Sequence, residues 1–294
     1  MTNLTQSAVT GGAGWLMASI VLLTGSCSSH SSRVANLKVC IVCQFDVSAS
    51  AAAKTTKDHY LRDFGKIASS LGASDLLIAD TITENPSATM TFPIRVPLPV
   101  YDAWQTSPLL HRQDLQTMRQ SLIDQTTMLV RNTPPTQKTA ILDAIYVTRK
   151  AFENDDCKRA GQRVLVVFSD MEEDSERANF LREDLSPQRI EMLLQKEQKD
   201  AHLPDLHGVE TWVAGATQDR SLGASKIREI EKFWSAYFAR AGAHLTSDRY
   251  GPALLNFALP HAPTPMSLGE ATEYERHTSA ARTSDRDLQA QPRD

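Results

Sequence analysis

Four short, almost uninterrupted apolar runs punctuate this chain: LKVCIVCQF from Leu37, DLLIADTIT from Asp75, RVLVVFSD from Arg163 and HGVETWVAGA from His207. A strand that is apolar at nearly every position is buried on both faces, so helices must cover both sides of its sheet. The segments between the runs have the required periodicity. AAAKTTKDHYLRDFGKIASSLG carries Tyr60, Phe64, Ile67 and Leu71 at helical spacing, with Gly72 as the C-cap candidate. A long helix is expected from Ser107 to Arg131, with Leu115, Met118, Leu122 and Leu129 inward, and a second, TAILDAIYVTRKAF, after the turn NTPPTQK. Ser186-Pro187 opens another in cap-then-proline order, running to about Lys199, and KIREIEKFWSAYFARAG lines Ile227, Ile230, Phe233, Trp234, Tyr237 and Phe238 along one side. ATMTFPIRVPLP alternates like a strand, but its prolines confine it to a sheet edge; AHLTSD is expected as a last short strand. Strands alternating with helices predict an α/β fold, a doubly wound, mostly parallel sheet with helices on both faces.

The ends of the chain differ from this body. Trp15 to Thr24 is an apolar run of export-signal length, followed by small residues and Cys27. Residues 1–27 read as an export signal, although no Lys or Arg precedes Trp15; a buried helix or a misassigned start codon are the alternatives. Leu23-Thr24-Gly25-Ser26-Cys27 resembles a bacterial lipobox, which implies acylation of Cys27 and localisation in the cell envelope or periplasm. Residues 28–36 read as a flexible linker and 258–294 as a disordered polar tail, leaving 37–257 as the folded domain. A net charge of −4, with basic and acidic residues interspersed, excludes nucleic acid as the natural partner.

Directly after the first run, FDVSASA presents Asp46, Ser48 and Ser50 at alternate positions, hence on one side of an extended segment. Asp170 ends a later strand, and Thr139 stands at the start of a helix. In doubly wound folds ligands bind beyond the carboxyl ends of the strands. Two carboxylates with three neutral hydroxyls form an all-oxygen donor set suited to Mg²⁺, with Mn²⁺ sharing the preference. Taken singly, each piece also fits a turn, a helix cap or a strand end.

These elements, DVSAS, KTAILDAI and VLVVFSDMEED, resemble in order and spacing the metal-ion-dependent adhesion site of von Willebrand factor type A domains over roughly Leu37 to Asp248. The resemblance implies a Rossmann-like fold, a Mg²⁺ held by Asp46, Ser48, Ser50, Thr139 and Asp170, and a partner protein whose Asp or Glu completes the metal shell. Ser169 stands where that family often has threonine, and Met171 where it often has glycine. The same family order sets Cys157 beside Cys40, a pair within reach of a disulfide, and leaves Cys43 as a buried thiol. Glu172, Glu173 and Asp174 would form an acidic rim around the metal, or simply a solvated loop.

No nucleophile elbow, phosphate loop, HExxH or Cys/His zinc spacing is present, so binding rather than catalysis is expected. The sequence leaves open an exported, lipid-anchored interaction module and a cytoplasmic adaptor of a chaperone-like ATPase with an uncleaved N-terminus. The Ser107 to Arg131 helix is a further candidate partner surface, one needing no metal.

Overall fold

The computed structural model describes residues 38–216 and 222–259. The segments expected to be an export signal with Cys27 and a 28–36 linker, and the tail from 260 onward, lie outside the described residues. In chain order the elements are β1 (Val39–Asp46), α1 (Lys54–Ser70), β2 (Leu76–Ile82), α2 (Pro86–Thr89), β3 (Ile94–Pro97), α3 (Pro108–Asn132), α4 (Ile141–Glu153) and α5 (Asp155–Lys158). Then follow β4 (Gln162–Phe168), α6 (Pro187–Lys199), β5 (Val209–Ala214), α7 (Ala224–Arg240) and β6 (Tyr250–Gly251). The strands form one sheet in the order β3-β2-β1-β4-β5-β6, parallel except for β3, which runs antiparallel to β2 at the edge. This is the expected doubly wound arrangement, Rossmann-like in its strand order. Chain order reverses between β1 and β4, and there the carboxyl ends of the two strands open a crevice.

The pleat of β1 explains the two cores. Val39, Ile41, Cys43 and Phe45 pack with Phe64 and Ile67 of α1 and Leu122 and Val130 of α3. Cys40 and Val42 point to the other face, against Ile145 of α4 and Phe233, Trp234 and Phe238 of α7. Gln44 is fully buried on that second face, where its amide donates to Thr148 Oγ1 at 3.0 Å. Cys40 and Cys157 form a disulfide with 5.3 Å between Cα atoms, tying β1 to α5, and Cys43 is a buried free thiol.

Three local expectations need correction. Helix α1 does not end on a left-handed Gly72: its C-cap is Leu71 in extended backbone, because the Asp75 carboxylate accepts the Gly72 N–H at 2.6 Å. AHLTSD is not the last strand. His244 makes one parallel bridge to Glu210, residues 247–249 form a 3₁₀ turn, and Tyr250–Gly251 pairs with Val213 and Ala214 instead. Thr246 and Asp248 hydrogen-bond locally, which competes with a ladder. Ordered packing also passes residue 257, since Leu254 and Leu259 are buried in the α1 face core and Leu254 N–H donates to Asp63 at 2.9 Å. Among the described residues no helix is long and apolar enough to cross a membrane.

Under α4 and α6 lies a charged cluster. Arg177 donates to Asp143 at 2.9 Å and to Glu197 at 3.0 Å; His202 bridges the same two carboxylates at 2.8 and 2.9 Å, and stacks on Tyr146. Burial opposes charging of His202, but its bonds to Asp143 and Glu197 outweigh this and raise its pKa. The bond from His202 lowers that of Asp143; at Glu197 burial acts upward, and His202 and Arg177 prevail downward. His202 therefore contributes stability that is fully present below its ordinary value of 6.5 and is lost as pH rises through the raised value. The carboxylates contribute above their ordinary values of 3.8 and 4.5 and lose it as pH falls through the lowered ones. The stability difference between the wild type and His202→Gln, measured by urea unfolding, should be largest between about pH 4.5 and 6.5. A difference independent of pH from 4 to 9 would refute it.

Candidate metal centre

Strand β1 delivers Asp46 at its last position, fully buried; the chain reaches a bridge residue at Ser48 and then turns at Ala49, so the exposed Ser50 lies in a turn and not in the extended segment expected. One Asp46 oxygen accepts the Ser48 N–H at 2.8 Å, an Asx turn that fixes the carboxylate and sends the second oxygen across to β4. That oxygen accepts from Ser169 Oγ at 2.7 Å. Ser48 and Ser50 hydroxyls lie 3.0 Å apart, brought together by the turn that begins at Ala49.

Two backbone bridges bring in the remaining segments. Ala49 N–H donates to Thr136 O at 2.8 Å and Thr136 N–H to Val47 O at 3.2 Å, fastening the loop after β1 to the loop before α4. Thr139 and Asp174 exchange a pair of bonds at 3.1 and 3.0 Å, fastening that loop to the one after β4. Asp46, Ser48, Ser50, Thr139 and Asp170 thus lie on three mutually fastened loops at the β1/β4 crevice. Asp170 is half-buried and its carboxylate accepts the Glu172 N–H at 3.0 Å. Burial first, then the nearby Asp170 charge, push the Asp46 carboxyl up to about 7 against the hydrogen bonds from Ser48 and Ser169.

Neither Ser48, Ser50 nor Thr139 caps the helix that follows it. The N-cap of α1 is Ala53, without a side-chain cap bond, and that of α4 is Ala140. Glu173 caps α4 from a distance, accepting the Ile141 and Leu142 N–H groups at 2.8 and 3.0 Å. This corrects the acidic rim. Glu173 is fully buried, because a helix N-terminus is an anion site and the other carboxylate oxygen takes the Ser175 hydroxyl at 2.5 Å. Glu172 is largely buried, and Asp174 accepts from Asn179 Nδ2 at 2.7 Å. Burial pushes the Glu173 carboxyl up to about 8 despite these bonds. Glu173→Ala should cost about 1–3 kcal/mol by leaving helix donors unpaired, read by urea unfolding; a loss under 0.5 kcal/mol would mean that water replaces the carboxylate freely.

Three contributors have roles at the crevice that the sequence reading did not assign. Ser169 is the hydrogen-bond link between β4 and Asp46. Met171 has φ 67, a left-handed conformation that suits glycine better than methionine. Its N–H donates to Ser169 Oγ at 2.9 Å and its carbonyl accepts from Trp234 at 2.8 Å, bonds that hold the unfavourable backbone. Tyr60 of α1 is buried, and its hydroxyl has no partner among the described residues. Burial first, then the charges of Asp46, Asp170 and Glu172, raise its pKa well above the ordinary value, so the hydroxyl lies in the field of the same crevice.

The donor set fits a hard divalent ion. Two carboxylates approach within mutual electrostatic range, one of them fully buried, and a cation would relieve both the repulsion and the desolvation. Among the described residues no group of three or more His, Cys, Asp or Glu is arranged to hold a metal, so an ion here depends on the serine and threonine hydroxyls.

No protein-family model and no curated protein matches this chain. Similar solved structures include proximal thread matrix protein 1 of the mussel byssus, at 13% identity and TM-score 0.34, covering 66% of this chain and 41% of that one. The manganese-loaded TRAP protein of Plasmodium vivax gives 17% identity and TM-score 0.34 over 66% and 63% of the two chains. A von Willebrand factor type A protein of Catenulispora acidiphila gives 8% identity and TM-score 0.32 over 70% and 42%. The match spans less than two thirds of each of these chains. Likenesses this low add nothing to the fold that the strand order already defines.

Proposed function

We propose that the chain is a von Willebrand factor type A-like interaction module that holds Mg²⁺ or Mn²⁺ and captures a partner protein through the partner's Asp or Glu. The observation carrying this reading is the fastening of the Asp46, Thr139 and Asp170 loops at the point where strand order reverses. Asp46, Ser48, Ser50, Thr139 and Asp170 would hold the ion, directly or through water. The ion would supply a Lewis-acidic site for one further carboxylate. Ser169 orients Asp46, and Glu173 fixes the start of α4 beside Thr139. Lys138 and Ser175, which flank the Thr139–Asp174 bridge, line a cleft of about 700 Å³ with Glu84, Asp143 and Lys196. Partner residues beside the captured carboxylate would fall on this mixed-charge surface, which gives the module a means of selecting among acidic segments.

The module is exported and anchored through acylated Cys27 in this reading, and it binds rather than catalyses. The Cys40–Cys157 disulfide supports an oxidising compartment over the cytoplasm, where such bridges are rare. The test is calorimetric titration of Mg²⁺ and of Mn²⁺ into the full chain and into Asp46→Ala. Binding that disappears in the variant while its circular dichroism is unchanged supports the reading. Equal heats from both proteins would overturn it.

A further inference from the structure

The end of the molecule opposite the metal centre carries a feature that neither core nor crevice uses. Lys38 N–H donates to Ser74 O and Leu98 N–H to Asp75 O, so the chain enters β1 beside the point where it leaves β3, at the amino edge of the sheet. Just beyond Leu98, Val100 and Tyr101 are exposed, and a turn held by Trp104 N–H on Asp102 Oδ1 at 2.9 Å leaves the Trp104 ring 98% exposed. Helix α3 then begins, with Leu109 and Leu110 exposed in its first turn and the Tyr101 ring 4.9 Å from that of His111.

Helix α3 lies antiparallel to α1. Lys57, near the start of α1, donates to Val130 O at 3.0 Å, while Arg119 donates to the carbonyl of Leu71 at the end of α1 at 2.9 Å. Residues 108–114 therefore precede the part of α3 that packs on α1 and project about two turns, roughly 10 Å, past its end. The result is a protruding tip of Val100, Tyr101, Trp104, Leu109 and Leu110.

We infer that this tip rests in the interface of a lipid bilayer, holding the metal centre away from the membrane. The inference rests on the reading of Cys27 as the acylated residue. Cys27 and Lys38 are eleven positions apart, which even fully extended reach at most about 40 Å, so an anchored Cys27 keeps the amino edge close to the bilayer. Trp and Tyr with neighbouring aliphatic side chains are the residues that favour the membrane–water boundary.

The experiment isolates the full-length gene product from membranes and reconstitutes it into phosphatidylethanolamine/phosphatidylglycerol vesicles with plain or brominated acyl chains. Flotation reports the anchor. Tryptophan quenching reports the tip, because Trp15 is removed with the residues before an acylated Cys27, Trp212 and Trp234 are buried, and Trp104→Phe identifies the exposed ring. Wild-type protein should float and lose emission in brominated lipid, and Trp104→Phe should float with that loss abolished. Floating protein with the same emission in both lipids would overturn the tip's role while the anchor stands. Protein that neither floats nor is quenched would overturn both. Dimeric sedimentation abolished by Trp104→Phe, without quenching, would assign the tip to a second copy and overturn the inference.

Discussion

Replacing Cys40 and Cys157 together by alanine should lower the free energy of unfolding by about 2–5 kcal/mol. The bridge closes a loop with a sequence separation of 117 residues, which places it toward the upper part of that range if the effect is mainly on the unfolded chain. It fixes the first strand to the segment immediately before β4, the two strands whose carboxyl ends bear Asp46 and Asp170. Both sulfurs are buried, so alanine leaves an apolar void and no stranded hydroxyl. Urea unfolding of the variant beside reduced and oxidised wild type measures the effect. A difference under 1 kcal/mol would mean that the unfolded chain is already compact around these positions.

Gly215→Ala should be at least as damaging, at roughly 2–6 kcal/mol from backbone strain and overpacking together. Gly215 follows β5 with φ 109, where a side chain is strained whatever the space. A Cβ there would stand 2.6 Å from the Tyr60 ring and 2.9 Å from the Ser169 carbonyl. Neither neighbour yields easily, since Tyr60 is packed in the core and the carbonyl is backbone. The displacement falls on the residue that orients Asp46, so if the proposed site holds metal its affinity should fall even in molecules that remain folded. Thermal unfolding and Mn²⁺ titration of the variant check both parts; unchanged melting would show that Tyr60 swings aside at little cost.

The strands were legible because each is apolar nearly throughout and bounded by polar or small residues. Asp46 and Asp170 were legible because they stand where those runs stop. The last strand was misplaced because a two-residue pairing leaves no periodicity to read, and Thr246 and Asp248 satisfy one another locally. Ser169 could be seen as a residue but not as a partner, because Asp46 lies 123 positions away. Glu173 resembled its acidic neighbours in composition; only the approach of the α4 N-terminus distinguishes it. The Trp104 tip was invisible for a similar reason, since the overhang of α3 depends on where α1 ends.

The pleat of β1 has a consequence for how the chain acquires its bridge. Cys40 and Cys43 are three residues apart, an odd spacing, so the formed strand sends one thiol to the α7 face and the other to the α1 face. Once β1 is in the sheet, Cys157 shares a side with Cys40 alone, and the wrong partner is screened by the thickness of the sheet itself. Oxidation after strand pairing can therefore join Cys157 only to Cys40, and the pleat selects the covalent bond.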